Sequence, residues 1–94
     1  MILRIVRMEF QEDKTGDFKR IFKRQKPFIE NFKGCHSVKL YKDATKHNVF
    51  YTYSLWENLQ ALEEYRKSEI FRKTWEEVKT LFSGKPLAFS LEEV

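Results

Sequence analysis

The sequence has few of the residue types that build disulfide frameworks, metal centres or phosphate loops. Its 94 residues include one cysteine, two histidines and three isolated glycines. A single cysteine excludes an internal disulfide. His36 and His47 show none of the short spacings that metal ligands require, and the isolated glycines give no phosphate-binding loop. We therefore expect no metal site, and we interpret Cys35 as a buried or edge residue.

Long apolar runs are also missing. No stretch approaches the roughly 20 apolar residues that a membrane-spanning helix needs. The first eight residues, MILRIVRM, are interrupted by arginines and lack a small-residue cleavage site, so they are not typical of a signal peptide. We expect a soluble cytoplasmic protein with no membrane partner.

Positive charge is in excess but dispersed. The formal net charge is +4 and the pI is about 9.2, with eighteen basic and fourteen acidic residues. The densest basic stretch, residues 19–26, falls on the polar face of a predicted helix, which indicates a solvated surface. The chain also lacks the Lys/Arg-Gly-Phe signature of RNA-binding modules that share this topology. We predict no nucleic-acid partner.

Apolar periodicity predicts the element order β-α-β-β-α-β. The first helix is predicted to begin at Asp13 or Thr15 and to end before Gly34, and the second is predicted to be broken at Ser68, with Asn58 and Ser68 as N-caps. The strands are predicted at 2–10, 35–42, 49–56 and 86–94. This order is typical of a ferredoxin-like α+β fold with a four-stranded antiparallel sheet and helices on one face. We expect one domain over 1–94.

The sheet is predicted to be apolar on both faces. Val49, Tyr51, Tyr53 and Leu55 share one parity of the third strand, opposite Trp56. Such a face is too apolar to be left in water. We therefore predict a homodimer through the sheet face opposite the helices.

Trp56 is the first candidate for a site. It ends the most apolar strand and is predicted to face the helices, where it is either a core side chain or the wall of a ligand pocket. Arg7, on the first strand, either pairs with an internal carboxylate or binds a ligand oxygen. Tyr65 and Trp75, on the covering helices, either belong to the core or cap the same cavity.

Residues 55–71, LWENLQALEEYRKSEIF, resemble the antibiotic biosynthesis monooxygenase family. The resemblance is carried by Trp56, Glu57-Asn58, Ala61-Leu62, Ser68 and Phe71, in the order and spacing of the family pattern. Gly34-Cys35-His36 is similar to the family's turn into the second strand. The resemblance implies a dimeric α+β barrel, in which two sheets pack face to face.

The resemblance also implies an activity, the oxidation of a small aromatic or quinol-type substrate by O₂ without a cofactor. On this hypothesis the catalytic candidates are Trp56, Tyr65 and His36, and the substrate-binding candidates are Arg7, Trp56, Phe71 and Trp75. Heme-degrading relatives use an asparagine and a helical histidine where this chain has Arg7 and Trp75, so no heme is expected. The alternative is a non-catalytic small-ligand-binding or stress-associated barrel protein.

Overall fold

The computed structural model describes residues 1–94 and contains four strands and three α-helices. Adjacent strands are antiparallel in the order β2-β3-β1-β4. This is the predicted ferredoxin-like α+β fold, which is thereby confirmed. The elements are β1 (Ile2–Glu9), α1 (Thr15–Glu30), β2 (Cys35–Lys42), β3 (Val49–Trp56), α2 (Leu59–Arg66), α3 (Glu69–Val78) and β4 (Leu87–Glu92).

The register of the two central strands fixes which side chains meet the helices. Ile2 of β1 lies opposite Trp56 of β3, and Met8 lies opposite Phe50. Since side chains alternate along a strand, the even-numbered residues of both strands share the helix-covered face. All four of these residues are buried. The predicted orientation of Trp56 is confirmed.

Two apolar clusters fill the space between the sheet and the helices. One contains Trp56 and Leu62, with Phe32 and Tyr65 packed against it. The other is centred on Phe10, which is fully buried and contacts neighbouring phenylalanine rings. Because the core consists of two clusters and is not continuous, there is room for a cavity between them.

The second helical segment is broken as predicted. The Asn58 side chain accepts a hydrogen bond from the Ala61 N–H at 2.8 Å, and Ser68 Oγ accepts one from the Phe71 N–H at 3.2 Å. Both predicted N-caps are confirmed. The prediction that Asp13 or Thr15 caps α1 is wrong, because a 3₁₀ turn at Glu12–Lys14 leads directly into the helix and no side chain caps it.

Gly34 has a different role from the one predicted. Helix α1 ends at Glu30, so Gly34 does not follow the helix directly but forms the turn into β2, with φ of 88°. Its carbonyl accepts a hydrogen bond from the Glu57 N–H at 2.8 Å, and an added Cβ would collide with Ala61 Cβ on α2. This turn therefore packs directly against the start of α2.

The sheet face away from the helices is covered by nothing in the single chain. Leu87, Phe89 and Leu91 of β4 are 50%, 50% and 45% exposed. Three of the four β3 residues predicted for the dimer side, Tyr51, Tyr53 and Leu55, lie on this face. Val49 is fully buried, because the hairpin turn at 43–48 folds back and hydrogen bonds to its backbone N–H and C=O.

None of the three helices has the length and the apolar character that a membrane-spanning helix needs.

We predict that Gly34→Ala lowers the free energy of unfolding by about 2–4 kcal/mol, since it adds left-handed backbone strain to a steric clash. Urea denaturation would measure the loss. Gly16→Ala is the matched control: it lies in α1, where a Cβ meets nothing closer than 3.6 Å, so it should be neutral or stabilising by up to about 1 kcal/mol. Equal stabilities of the two variants would contradict the assigned role of Gly34.

Candidate active site

A cavity of about 90 Å³ lies between the helix-facing side of the sheet and all three helices. Eighteen residues line it, and twelve of them are hydrophobic. The floor is built from β1, β2 and β3, and the walls from α1, α2 and α3. An enclosed apolar space with a few polar groups is the usual form of a small-molecule site.

Three aromatic side chains of the broken helical segment close one side of the cavity. They are Tyr65 of α2 and Phe71 and Trp75 of α3. The rings of Tyr65 and Phe71 meet edge to face with centroids 5.2 Å apart, and those of Phe71 and Trp75 are 5.8 Å apart. The structure thus brings three of the predicted site residues together at one cavity.

Trp56 lies behind this wall rather than in it. The indole is fully buried and stacks on the Tyr65 ring, with centroids 4.8 Å apart and an angle of 26° between the planes. Its Nε1–H donates a hydrogen bond to Ser54 Oγ at 3.0 Å. Ser54 and Tyr65 line the cavity whereas Trp56 does not. Trp56 therefore positions two cavity residues and does not itself line the cavity.

The Tyr65 hydroxyl is free to bind a ligand. The backbone carbonyl of Tyr65 accepts a hydrogen bond from Ser68 Oγ at 2.6 Å, but the phenol makes none within the chain. Since no fully buried polar side-chain atom of the protein lacks a hydrogen-bond partner, this hydroxyl keeps some accessible surface, and the Tyr65 side chain lines the cavity. Burial raises the pKa of Tyr65 far above its usual value, with a smaller contribution from Cys35. The phenol is neutral and acts as a donor.

Two predicted site residues lie elsewhere. Arg7 is opposite Tyr51 on the odd-numbered, open face of the sheet, because β1 presents its even-numbered residues to the helices. His36 is exposed at the irregularity in β2 between Cys35 and Ser37, away from the cavity. The expectation that either residue lies in the pocket is therefore wrong for this fold.

Sequence reasoning missed the polar residues that do line the cavity. Arg4 lies on the helix-facing side of β1, in phase with Ile2 and Val6. Gln25 of α1 donates a hydrogen bond from Nε2 to Thr74 Oγ1 of α3 at 2.9 Å. The signal for Gln25 was its place within an otherwise apolar helical stripe. For Arg4 it was the shared parity with Ile2.

Cys35 lies near Tyr65 but is not activated. Burial raises the pKa of its thiol, and Sγ donates only a weak hydrogen bond to the Ser37 carbonyl at 3.7 Å. A nucleophilic cysteine needs a lowered pKa. The interpretation of Cys35 as a structural residue fits this environment. No three His, Cys, Asp or Glu side chains are grouped as a metal site would require.

The family model for antibiotic biosynthesis monooxygenases matches residues 1–77. The chain belongs to the antibiotic biosynthesis monooxygenase family. The match includes all six elements from β1 to α3 apart from Val78, the last residue of α3, and seventeen of the eighteen residues that line the cavity. It stops before β4. No curated protein gives a significant sequence match.

Solved structures of remote sequence share the whole fold. Rv0793 of Mycobacterium tuberculosis is 18% identical and superimposes with a TM-score of 0.91, covering 99% of this chain and 94% of that one. A protein of Nitrosomonas europaea, described as a candidate member of the family, is 14% identical with a TM-score of 0.92 and covers 100% and 99%. A Bordetella bronchiseptica protein with the same description is 21% identical and has a TM-score of 0.88. The superposition covers 99% of this chain and 96% of that one. At these identities the likeness shows the fold alone.

We predict that Ser54→Ala destabilises the protein by about 1–3 kcal/mol, because it leaves the buried Trp56 Nε1–H without its acceptor. Tyr65→Phe is the comparison: it keeps the ring stack and removes a hydroxyl that has no partner in the chain, so it should change stability by less than about 0.5 kcal/mol. Urea denaturation monitored by tryptophan fluorescence would measure both. A larger loss for Tyr65→Phe than for Ser54→Ala would contradict this description of the wall.

Proposed function

We propose that this family member is a cofactor-independent monooxygenase that oxidises a small aromatic or quinol-type substrate in the cavity. The observation that carries the proposal is the Tyr65 hydroxyl, a neutral donor on a half-buried side chain with no partner in the chain, at the wall of an aromatic cavity. Such a group matches a phenol or quinone oxygen, and the ring stack on Trp56 fixes its direction.

In this reaction the substrate itself supplies the electrons. One oxygen atom of O₂ enters the ring and the other leaves as water, so a hydroquinone and O₂ give a hydroxyquinone and water. All four electrons that reduce O₂ come from the substrate. The protein has to hold the ring, exclude water and bind the developing negative charge on oxygen. The aromatic wall and the Tyr65 donor supply these functions.

The cavity contains no built-in base. No Asp, Glu or His lines it, and Tyr65 is neutral because of its raised pKa. A substrate hydroxyl must therefore lose its proton to water or before it enters. The hydrogen bond from Tyr65 favours the ionised substrate, since a donor stabilises an anionic oxygen more than a neutral one.

Cavity size limits the substrate. About 90 Å³ is available, which is less than the roughly 150 Å³ of an engineered apolar cavity that binds benzene. A ring therefore enters only when a wall side chain moves. Phe71 and Trp75 are the candidates, because both are shared between the cavity and an open cleft of about 410 Å³ on the outer side of α3.

We expect oxygen uptake with at least one member of a panel of hydroquinones and polycyclic phenols, unaffected by chelators. Tyr65→Phe should lower kcat/KM several-fold, because losing one hydrogen bond to the substrate costs about 0.5–1.5 kcal/mol. Tyr41→Phe, which removes a hydroxyl from an exposed ring on the open face, should change nothing.

Failure of this experiment has a specific meaning. If the wild type consumes no oxygen above the autoxidation background with any compound, the result favours the alternative function. The protein would then be a non-catalytic small-ligand-binding or stress-associated protein on the same scaffold. The missing base is the observation that favours this second reading.

We also propose that the protein is a homodimer through the open face of the sheet, as the family resemblance implies. That face carries a continuous set of apolar side chains on β1, β3 and β4, namely Leu3, Ile5, Tyr51, Tyr53, Leu55, Leu87, Phe89 and Leu91. Arg7 is the one charged residue of β1 between them. An exposed apolar surface of this extent is typical of a protein interface. The cytoplasmic location stays a prediction.

The expected mass in solution is twice the 11.5 kDa of one chain, because an obligate interface of this kind buries about 2,000 Å². Light scattering at micromolar concentration measures it. Phe89→Lys should shift the mass to that of the monomer. Phe28→Lys is the control, since Phe28 is 57% exposed but lies on α1, away from the open face, and should leave the dimer intact. A monomeric wild type would refute the proposal.

A further inference from the structure

The cavity is lined by two charged side chains, and both are positive. They are Arg4 of β1 and Arg66 at the end of α2. No carboxylate lines the cavity. Arg4 is half-buried, and a partly buried charge is stabilised by a counter-charge or by several acceptors. Arg66 is exposed and pairs with Glu63.

Arg4 has one hydrogen-bond partner and no salt-bridge partner within the chain. Its Nη1 donates one hydrogen bond to Ser90 Oγ at 2.9 Å, and no carboxylate lies within salt-bridge distance of it. Burial and the nearby charge of Arg66 lower the pKa of Arg4, while Glu63 opposes them. A guanidinium offers five N–H donors in a planar fork, so most of its donors remain available to a ligand.

The surrounding charges favour a single negative charge. Arg66 is paired with Glu63 at 2.9 Å, so Arg4, Arg66 and Glu63 together leave one net positive charge. The outer cleft shares Arg66 with the cavity and is also lined by Lys67, Arg72 and Lys79. Arg72 is paired with Glu69 and Glu76, so the unpaired cations of the cleft are Lys67 and Lys79. A cationic approach raises the local concentration of anions and their rate of association.

We propose that the ligand of this cavity is an aromatic acid, whose ring lies against Tyr65 and Phe71 and whose carboxylate is bound by Arg4 with Arg66. A carboxylate matches the planar guanidinium fork. It also fits the one net positive charge of Arg4, Arg66 and Glu63 better than a phosphate dianion does. The inference rests on this cavity being the substrate site proposed above.

The test compares two ligands that differ only in charge. We would measure binding of 2,5-dihydroxybenzoate and 2,5-dihydroxybenzamide to the full chain by calorimetry without oxygen, so that no turnover occurs. The acid should bind about tenfold or more tightly than the amide, as expected for hydrogen bonds to a charged group. Arg4→Gln should remove most of this preference and leave the affinity for the amide within about twofold.

Arg66→Gln is a second, independent probe, since Arg66 lies on an exposed helix surface where the substitution is tolerated. It should reduce the preference several-fold. Arg20→Gln removes the same charge from the exposed surface of α1, where Arg20 pairs with Asp17, and should leave the preference unchanged. Thermal melting confirms that each variant is folded.

Three results would overturn the inference: equal affinity for acid and amide, an unchanged preference in folded Arg4→Gln and Arg66→Gln, or no binding of either ligand at millimolar concentration. These results are separate from those of the oxygen-uptake assay. A protein that prefers the acid but consumes no oxygen keeps the anion site and loses the monooxygenase proposal. A protein that oxidises neutral quinols but does not prefer acids keeps the monooxygenase proposal and loses the anion site.

Discussion

The stack of Tyr65 on Trp56 is the contact on which the rest of the site depends. Trp56 is the last residue of β3, and α2 begins three residues later at Leu59. A helix that starts so soon after its strand has little freedom, and the 4.8 Å stack fixes its remaining rotation. The ring of Phe32, beyond the end of α1, meets both of them edge to face, with its centroid 6.3 Å from that of Trp56 and 5.5 Å from that of Tyr65. Three elements therefore meet at one buried indole, and the Tyr65 hydroxyl is directed by all of them.

The break at Ser68 turns this anchored helix into a wall with an opening. Ser68 Oγ donates to the Tyr65 carbonyl and accepts from the Phe71 N–H, so one side chain ends α2 and starts α3. Tyr65 and Phe71 flank the break and are held edge to face. A continuous helix would lay one unbroken apolar stripe on the sheet. Two short helices joined at Ser68 leave a gap, and the cavity is lined by members of both core clusters.

The sequence predicts the strands and the two later helices well because each carries a local signal. Alternation locates β2 and β3 at their observed bounds, and the Asn58 and Ser68 side chains cap the helices they precede. The site is less predictable because β1 is apolar on both faces. Arg4 and Arg7 differ by three positions and so lie on opposite faces, and only the pairing of Ile2 with Trp56 decides which arginine meets the helices. That pairing is a tertiary property.

The same burial that organises the cavity also determines what chemistry it can perform. It raises the pKa of Tyr65 and of Cys35, so both stay protonated and uncharged at neutral pH. It lowers the pKa of Arg4, but from so high a value that the guanidinium keeps its charge. The cavity therefore holds neutral donors and fixed positive charge and has no group that accepts a proton. Such a site cannot activate a neutral substrate by removing its proton. For the reaction proposed here, the substrate therefore has to arrive already anionic and has to supply the electrons itself, while the protein stabilises the negative charge on oxygen.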